Sequence, residues 1–118
     1  NLQGVCFPRL KEIGKSAFYA STAISFIHFK NVVQLAEEAF SYCSGLKAVV
    51  MEQVKVIPEN SFFDCHNLQA IRFDRVSYIK ANAFSNCYSL CYAVLPSLDD
   101  CDEGCIETNQ LLQFSPEI

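Results

Sequence analysis

Residues 76–97 read VSYIKANAFSNCYSLCYAVLPS, and the same arrangement recurs every 22 residues on either side of them. The small-residue–Phe pair Ala83-Phe84 has counterparts at Ala17-Phe18, Ala39-Phe40 and Ser61-Phe62, and a further step of 22 lands on Cys105-Ile106. Units are numbered from eight residues before that Phe. Their first position holds Leu10, Val32, Val54, Val76 and Leu98, and the fourth Ile13, Leu35, Ile57, Ile79 and Cys101. The fifteenth holds Ile24, Leu46, Leu68, Leu90 and Leu112. The eighteenth holds Ile27, Val49, Ile71 and Ala93, and the twentieth Phe29, Met51, Phe73 and Leu95. No insertion disturbs the spacing. An uninterrupted apolar period of this length marks a solenoid, whose units bury their thin apolar edges only by stacking.

Within a unit, Leu68 to Phe73 follows L-x-x-I-x-F, and its alternation predicts a short strand. Positions one to four predict a second, shorter extended piece. Between them, residues 59–65 predict a tight turn, with a 3₁₀ or single helical turn left open. Stacking at the ~4.8 Å strand spacing gives a parallel sheet, a five-unit length of about 25 Å, and Phe rings about 5 Å apart. The expectation is one domain over 1–118, with a partial unit at 1–9, units at 10–31, 32–53, 54–75 and 76–97, and a C-terminal cap at 98–118. Leu2, Val5 and Phe7 fall in the core columns of a preceding unit, so the repeats are expected to continue N-terminally in a longer parent. Ser115 and Glu117 occupy core columns around Pro116, so the pattern is expected to end there.

At 51% hydrophobic and 19% charged, the 118-residue chain is globular in composition, not disordered. Its net charge of -4 supplies no basic footprint for nucleic acid. No apolar run approaches the ~18 residues that read as a spanning helix, so no membrane insertion is expected. Charge is unevenly spread: residues 98–118 carry six acids and no base, and the rest nine bases and seven acids.

The unit quoted above resembles the BspA-type leucine-rich repeat, whose pattern runs V-x-x-I-x-x-x-A-F-x-x-C-x-x-L-x-x-I-x-I-P. The resemblance extends over nearly the whole chain. It departs at Ser21 and Asn109 in the Cys column, at Ile106 for Phe, and at Lys30, Glu52 and Asp74, where only Pro96 keeps the proline. The resemblance implies a leucine-rich-repeat solenoid of a kind found in surface-exposed adhesion or recognition proteins of bacteria and parasitic protozoa. A cell-surface or secreted location follows from it, with a cytoplasmic scaffold as the alternative.

Seven cysteines are many for this length. Cys43, Cys65 and Cys87 share the twelfth column with Ser21 and Asn109. A column accepting Cys, Ser and Asn calls for a small hydrogen-bonding group beneath the turn, where it satisfies main-chain groups. Parallel Cα–Cβ bonds would hold stacked Cβ atoms near 5 Å, beyond the ~3.8 Å of a disulfide, so these thiols are expected to be free. The redox state of Cys6, Cys91, Cys101 and Cys105 stays open. Cys101 and Cys105 stand at core positions and read as small hydrophobes, with one disulfide in the C-terminal unit as the other reading. The spacing from Cys87 to Cys105 fits no usual zinc pattern, so neither metal nor cofactor is expected. No N-x-[ST] sequon occurs.

Catalysis finds little support. Cys65 is assigned to the ladder, which removes it as a nucleophile for the adjacent His66. The four glycines make no phosphate loop. Asp99, Asp100, Asp102 and Glu103 lack the spacing of a calcium loop and read as a solvated cap. The chain is therefore read as a non-enzyme that binds through the outward strand positions. The seventeenth column carries Phe26, Ala48, Ala70, Tyr92 and Phe114, and the nineteenth His28, Val50, Arg72 and Val94. The candidate contact set is Phe26, His28, Val50, Arg72, Tyr92 and Val94, facing a protein partner of unknown identity. Self-association, or packing against another part of the parent, is the competing use of this strip.

Overall fold

Each 22-residue unit closes one turn of a β-solenoid of about four turns. The computed structural model describes residues 4–5, 7–110 and 113–114. Strands alternate long and short along the chain: β1 (Gly4–Val5), β2 (Glu12–Ile13), β3 (Phe26–Phe29), β4 (Gln34–Leu35), β5 (Ala48–Met51), β6 (Val56–Ile57), β7 (Ala70–Phe73), β8 (Tyr78–Ile79), β9 (Tyr92–Val94), β10 (Asp100–Cys101) and β11 (Gln113–Phe114). The odd-numbered strands form one six-stranded parallel sheet in the order β1-β3-β5-β7-β9-β11. Its register is the sequence period itself: Phe26, Ala48, Ala70 and Tyr92 lie opposite one another, as do His28, Val50, Arg72 and Val94. The short strands make two separate ladders, β2-β4 and β6-β8-β10. The expected end of the pattern at residues 115–117 lies outside the described residues.

The apolar columns fill the interior. Ile27, Val49, Ile71, Phe29, Met51, Phe73, Val54, Ile57, Leu46 and Leu68 are all fully buried. Phe18, Phe40, Phe62 and Phe84 stack as nearly parallel rings with centroids 5.0, 5.1 and 5.1 Å apart. That spacing is the strand spacing carried inward, and it lies in the preferred aromatic range. Phe29 and Phe73 pack against this column at 6.0 to 6.4 Å.

The turn between short and long strand holds no helix among the described residues. Two residues of each turn, Ser16 and Ala20, Glu38 and Tyr42, Asn60 and Asp64, Asn82 and Asn86, have φ between 57° and 62°. A left-handed residue on each side of the Phe stops helix propagation. Its main-chain groups turn outward to the next unit instead. Phe18 N–H donates to Ala39 C=O, Phe40 to Ser61, Phe62 to Ala83 and Phe84 to Cys105, all at 2.8 Å. Asn and Asp adopt this conformation readily, and they occupy it in the third and fourth units. Gly104, at φ 73°, takes it in the fifth.

The cysteine column lies under these turns. Cys43 Sγ donates to Phe18 C=O at 3.0 Å, Cys65 Sγ to Phe40 C=O at 3.0 Å, and Cys87 Sγ to Phe62 C=O at 3.2 Å. Each thiol thus satisfies the carbonyl of the stacked Phe one unit earlier, and all three are free. Burial pushes the Cys87 thiol up to about 12 and raises Cys65 well above the ordinary thiol range. Cys43 moves the other way, because its hydrogen bond with Cys65 outweighs its own desolvation.

The two C-terminal cysteines differ from the small-hydrophobe expectation. Cys101 and Cys105 form a disulfide, and Cys101 is exposed although its column is core in every earlier unit. Among the described residues no further short strand is stacked on the outer side of β10, so this column is without its cover there. The acidic stretch is only partly a solvated cap. Asp99, Asp100 and Glu103 are exposed, but Asp102 accepts hydrogen bonds from the Tyr78 hydroxyl and from Ala81 N–H at 3.2 Å, tying the fifth unit to the fourth.

Two measurements check this packing. Phe62→Ala leaves a ring-sized gap at the centre of the stack and should lower unfolding free energy by about 3–5 kcal/mol in urea titration. Alkylation in denaturant without reductant should label at least four of the seven cysteines, whereas in the native chain Cys65 and Cys87 should resist labelling that reaches the exposed Cys91. Fewer than four labels in denaturant would contradict the free-thiol column.

Candidate protein-binding face

Alternation along β3, β5, β7 and β9 sends every second side chain away from the core. In the first row the partners across the sheet are Phe26, Ala48, Ala70 and Tyr92. Phe26 is 43% exposed, and Ala48, Ala70 and Tyr92 are half-buried. Two alanines between two aromatics leave a shallow trough about three strand spacings wide, roughly 15 Å, with a ring at each end and an apolar floor. The side chain of Phe114 lies outside the described residues.

In the second row His28, Val50 and Arg72 are half-buried. Val94 departs from the expectation that it is a contact residue: it is 1% exposed. It stands two residues from Tyr92 on its own strand and opposite Arg72 on the next. The contact set is reduced to Phe26, His28, Val50, Arg72 and Tyr92.

The charges on this face are matched by the row beyond. His28 Nε2 lies 3.0 Å from both carboxylate oxygens of Glu52. Arg72 Nε donates to Asp74 Oδ1 at 2.8 Å, and Nη2 to Oδ2 at 3.4 Å. Asp74 raises the Arg72 pKa further above its ordinary value, so the guanidinium stays charged. Both pairs are substantially exposed, and such pairs contribute about 0–1 kcal/mol. They hold side chains in place and leave the face nearly neutral.

Among the described residues Cys65 and His66 form no nucleophile–base pair. Cys65 is buried and donates to Phe40 C=O, while the exposed His66 lies 3.6 Å from Asp64. One partly exposed feature escaped the alternation argument. Tyr19, Tyr42 and Phe63 form a row along the turn edge with ring centroids 5.4 and 5.5 Å apart. These rings occupy the tenth and eleventh positions in different units, so no single column of the sequence displays them.

The sequence matches the BspA type leucine rich repeat region, in six copies over residues 1–113. No curated protein matches the sequence. A leucine-rich repeat protein from Bacteroides ovatus ATCC 8483 is 25% identical, with a TM-score of 0.68 over 90% of this chain and 32% of its own. The leucine rich repeat protein of T. pallidum is 17% identical, with a TM-score of 0.54 over 96% of this chain and 73% of its own. A leucine rich cell surface protein from Faecalibacterium prausnitzii A2-165 is 21% identical, with a TM-score of 0.48 over 84% of this chain and 39% of its own. The chain spans about a third of the length of the Bacteroides protein.

If the outward rows are not core, changing them spares folding. Arg72→Ala and Tyr92→Ala should each keep the melting temperature within a few degrees by calorimetry, because exposed changes stay near ±0.5 kcal/mol and an exposed ion pair near 0–1 kcal/mol.

Proposed function

The chain belongs to the BspA-type leucine-rich-repeat family, and we propose that it is a non-catalytic protein-binding module. On this reading it acts in adhesion or recognition at a cell surface or in secreted form. The observation that carries the reading is the trough of the six-stranded sheet, Phe26 and Tyr92 flanking Ala48 and Ala70, with Val50 and Arg72 alongside. A parallel sheet locked by stacked turns presents these groups at little entropic cost. Aromatics and Arg around a small-residue floor are the composition of interface hot spots. Neutralised local charges suit a protein surface better than a polyanion.

Location has its own support. Family resemblance points to surface-exposed proteins. The Cys101–Cys105 disulfide, with Cys101 exposed, belongs to an oxidising compartment more readily than to the cytoplasm. A cytoplasmic scaffold is the alternative it disfavours.

The test uses Tyr92→Glu combined with Val50→Lys, against a control set of Lys15→Glu, Glu37→Lys and Glu59→Lys on the turn side. Immobilised wild-type chain is used to isolate a binder from cell-surface and secreted proteins, and the purified binder is then titrated by interferometry. The strand-face variant should lose about 30-fold or more in affinity, equivalent to ~2 kcal/mol, while the control set retains it. Equal affinity for both sets would remove the strand face as the site.

A further inference from the structure

We propose that the cleft between β4 and β6 is a second binding site, which takes an extended, carboxylate-bearing segment of a partner protein. It lies on the short-strand side and uses none of the residues assigned to the six-stranded face.

The cleft originates in one residue. Elsewhere on this side the turns are joined twice. Val33 N–H donates to Lys11 C=O at 2.8 Å, and Ser77 to Lys55 and Asp99 to Ser77 at 2.9 Å. Three residues further on, Ala36 N–H donates to Ile13 C=O, Lys80 to Ile57 and Asp102 to Ile79, each at 2.9 Å. At the step from β4 to β6 that second donor position is Pro58, which has no N–H. Among the described residues no main-chain hydrogen bond crosses from β4 to β6, and the two ladders are separate sheets. The carbonyls of Val33 and Leu35 and the N–H of Lys55 lose the partners their counterparts have.

The gap is a groove of about 670 Å³, with Lys55, Arg75 and Lys80 in its walls and no carboxylate among the residues that line it. None of these three cations has an ion pair among the described residues. That contrasts with Arg72 and His28 on the long-strand face, each held by its own carboxylate. Three uncompensated cations around a concavity focus positive potential there, although the chain as a whole is acidic. Val33 and Val56, at 51% and 39% exposed, give the groove an apolar component. The unpaired main-chain groups of Val33, Leu35 and Lys55 add polar partners for a segment lying along the mouth of the groove. Apolar contacts and cation–carboxylate pairing together fit an acidic, valine-bearing segment better than a free anion.

The probe is a fluorescein-labelled peptide of sequence Glu-Val-Asp-Val-Glu-Val, titrated by anisotropy into the whole 118-residue chain. Its neutral analogue Gln-Val-Asn-Val-Gln-Val is the comparison. The acidic peptide should bind about tenfold or more tightly than the analogue and weaken as NaCl rises. Lys55→Gln with Lys80→Gln should lose about tenfold at unchanged melting temperature. Pro58→Ala restores a donor to Leu35 C=O and should weaken binding by letting β4 pair with β6. The Tyr92→Glu and Val50→Lys variant should bind the peptide as wild type does, so failure of the strand-face reading leaves this result standing. Three outcomes overturn the proposal: equal binding of both peptides, binding unaffected by the double glutamine variant, or heparin binding in the groove where the acidic peptide does not bind. A salt-sensitive dimer in sedimentation that the double variant dissociates would also overturn it, by making a second copy the occupant.

Discussion

No turn of this solenoid satisfies its own main chain. A 22-residue loop of two short strands and a left-handed turn leaves most donors and acceptors pointing along the stack, and only the neighbouring unit can meet them. Long strands pair with long strands, short with short, and the turns form a third ladder through the N–H groups flanking and including each Phe. Everything else follows from that translation. Identical columns must superimpose at the strand spacing, so the Phe rings stack at 5.0–5.1 Å. A residue that suits one unit's position must also suit its copies above and below.

The cysteine column is the sharpest instance of that constraint. The carbonyls of Phe18, Phe40 and Phe62 each take, beside a main-chain N–H, a second donor from a side chain small enough to fit a closed space. A thiol meets both needs, and its elevated pKa at Cys65 and Cys87 keeps the proton there to be donated. Where the ladder is relieved of the constraint, the structure opens. Pro58 removes one donor and the short-strand sheet parts into two.

Much of the candidate face was legible because alternation along a strand is a purely local rule. Phe26, His28, Val50, Arg72 and Tyr92 are outward in the structure for the same reason they were outward in the register. Val94 failed because exposure depends on neighbours as well as direction: alternation aims it outward, yet it is 1% exposed. His28–Glu52 and Arg72–Asp74 pairing was equally out of reach, since it depends on rotamers and on distances across turns. The groove at Lys55, Arg75 and Lys80 was not visible because its cations are scattered over 26 residues of sequence and meet only across stacked turns.

The sequence by itself determined the period, the columns that form the core, the parallel stacking and the role of the Cys column. These depend on repetition and on hydrophobic burial, which a linear pattern encodes directly. Tertiary structure decided what repetition cannot express. It chose left-handed turns over a helical turn, because only the next unit's carbonyls reward that backbone. It exposed Cys101 and joined it to Cys105, where among the described residues no further short strand covers that column at β10. It also decided which outward side chains reach water, because that depends on the size and rotamer of the residues beside them in space.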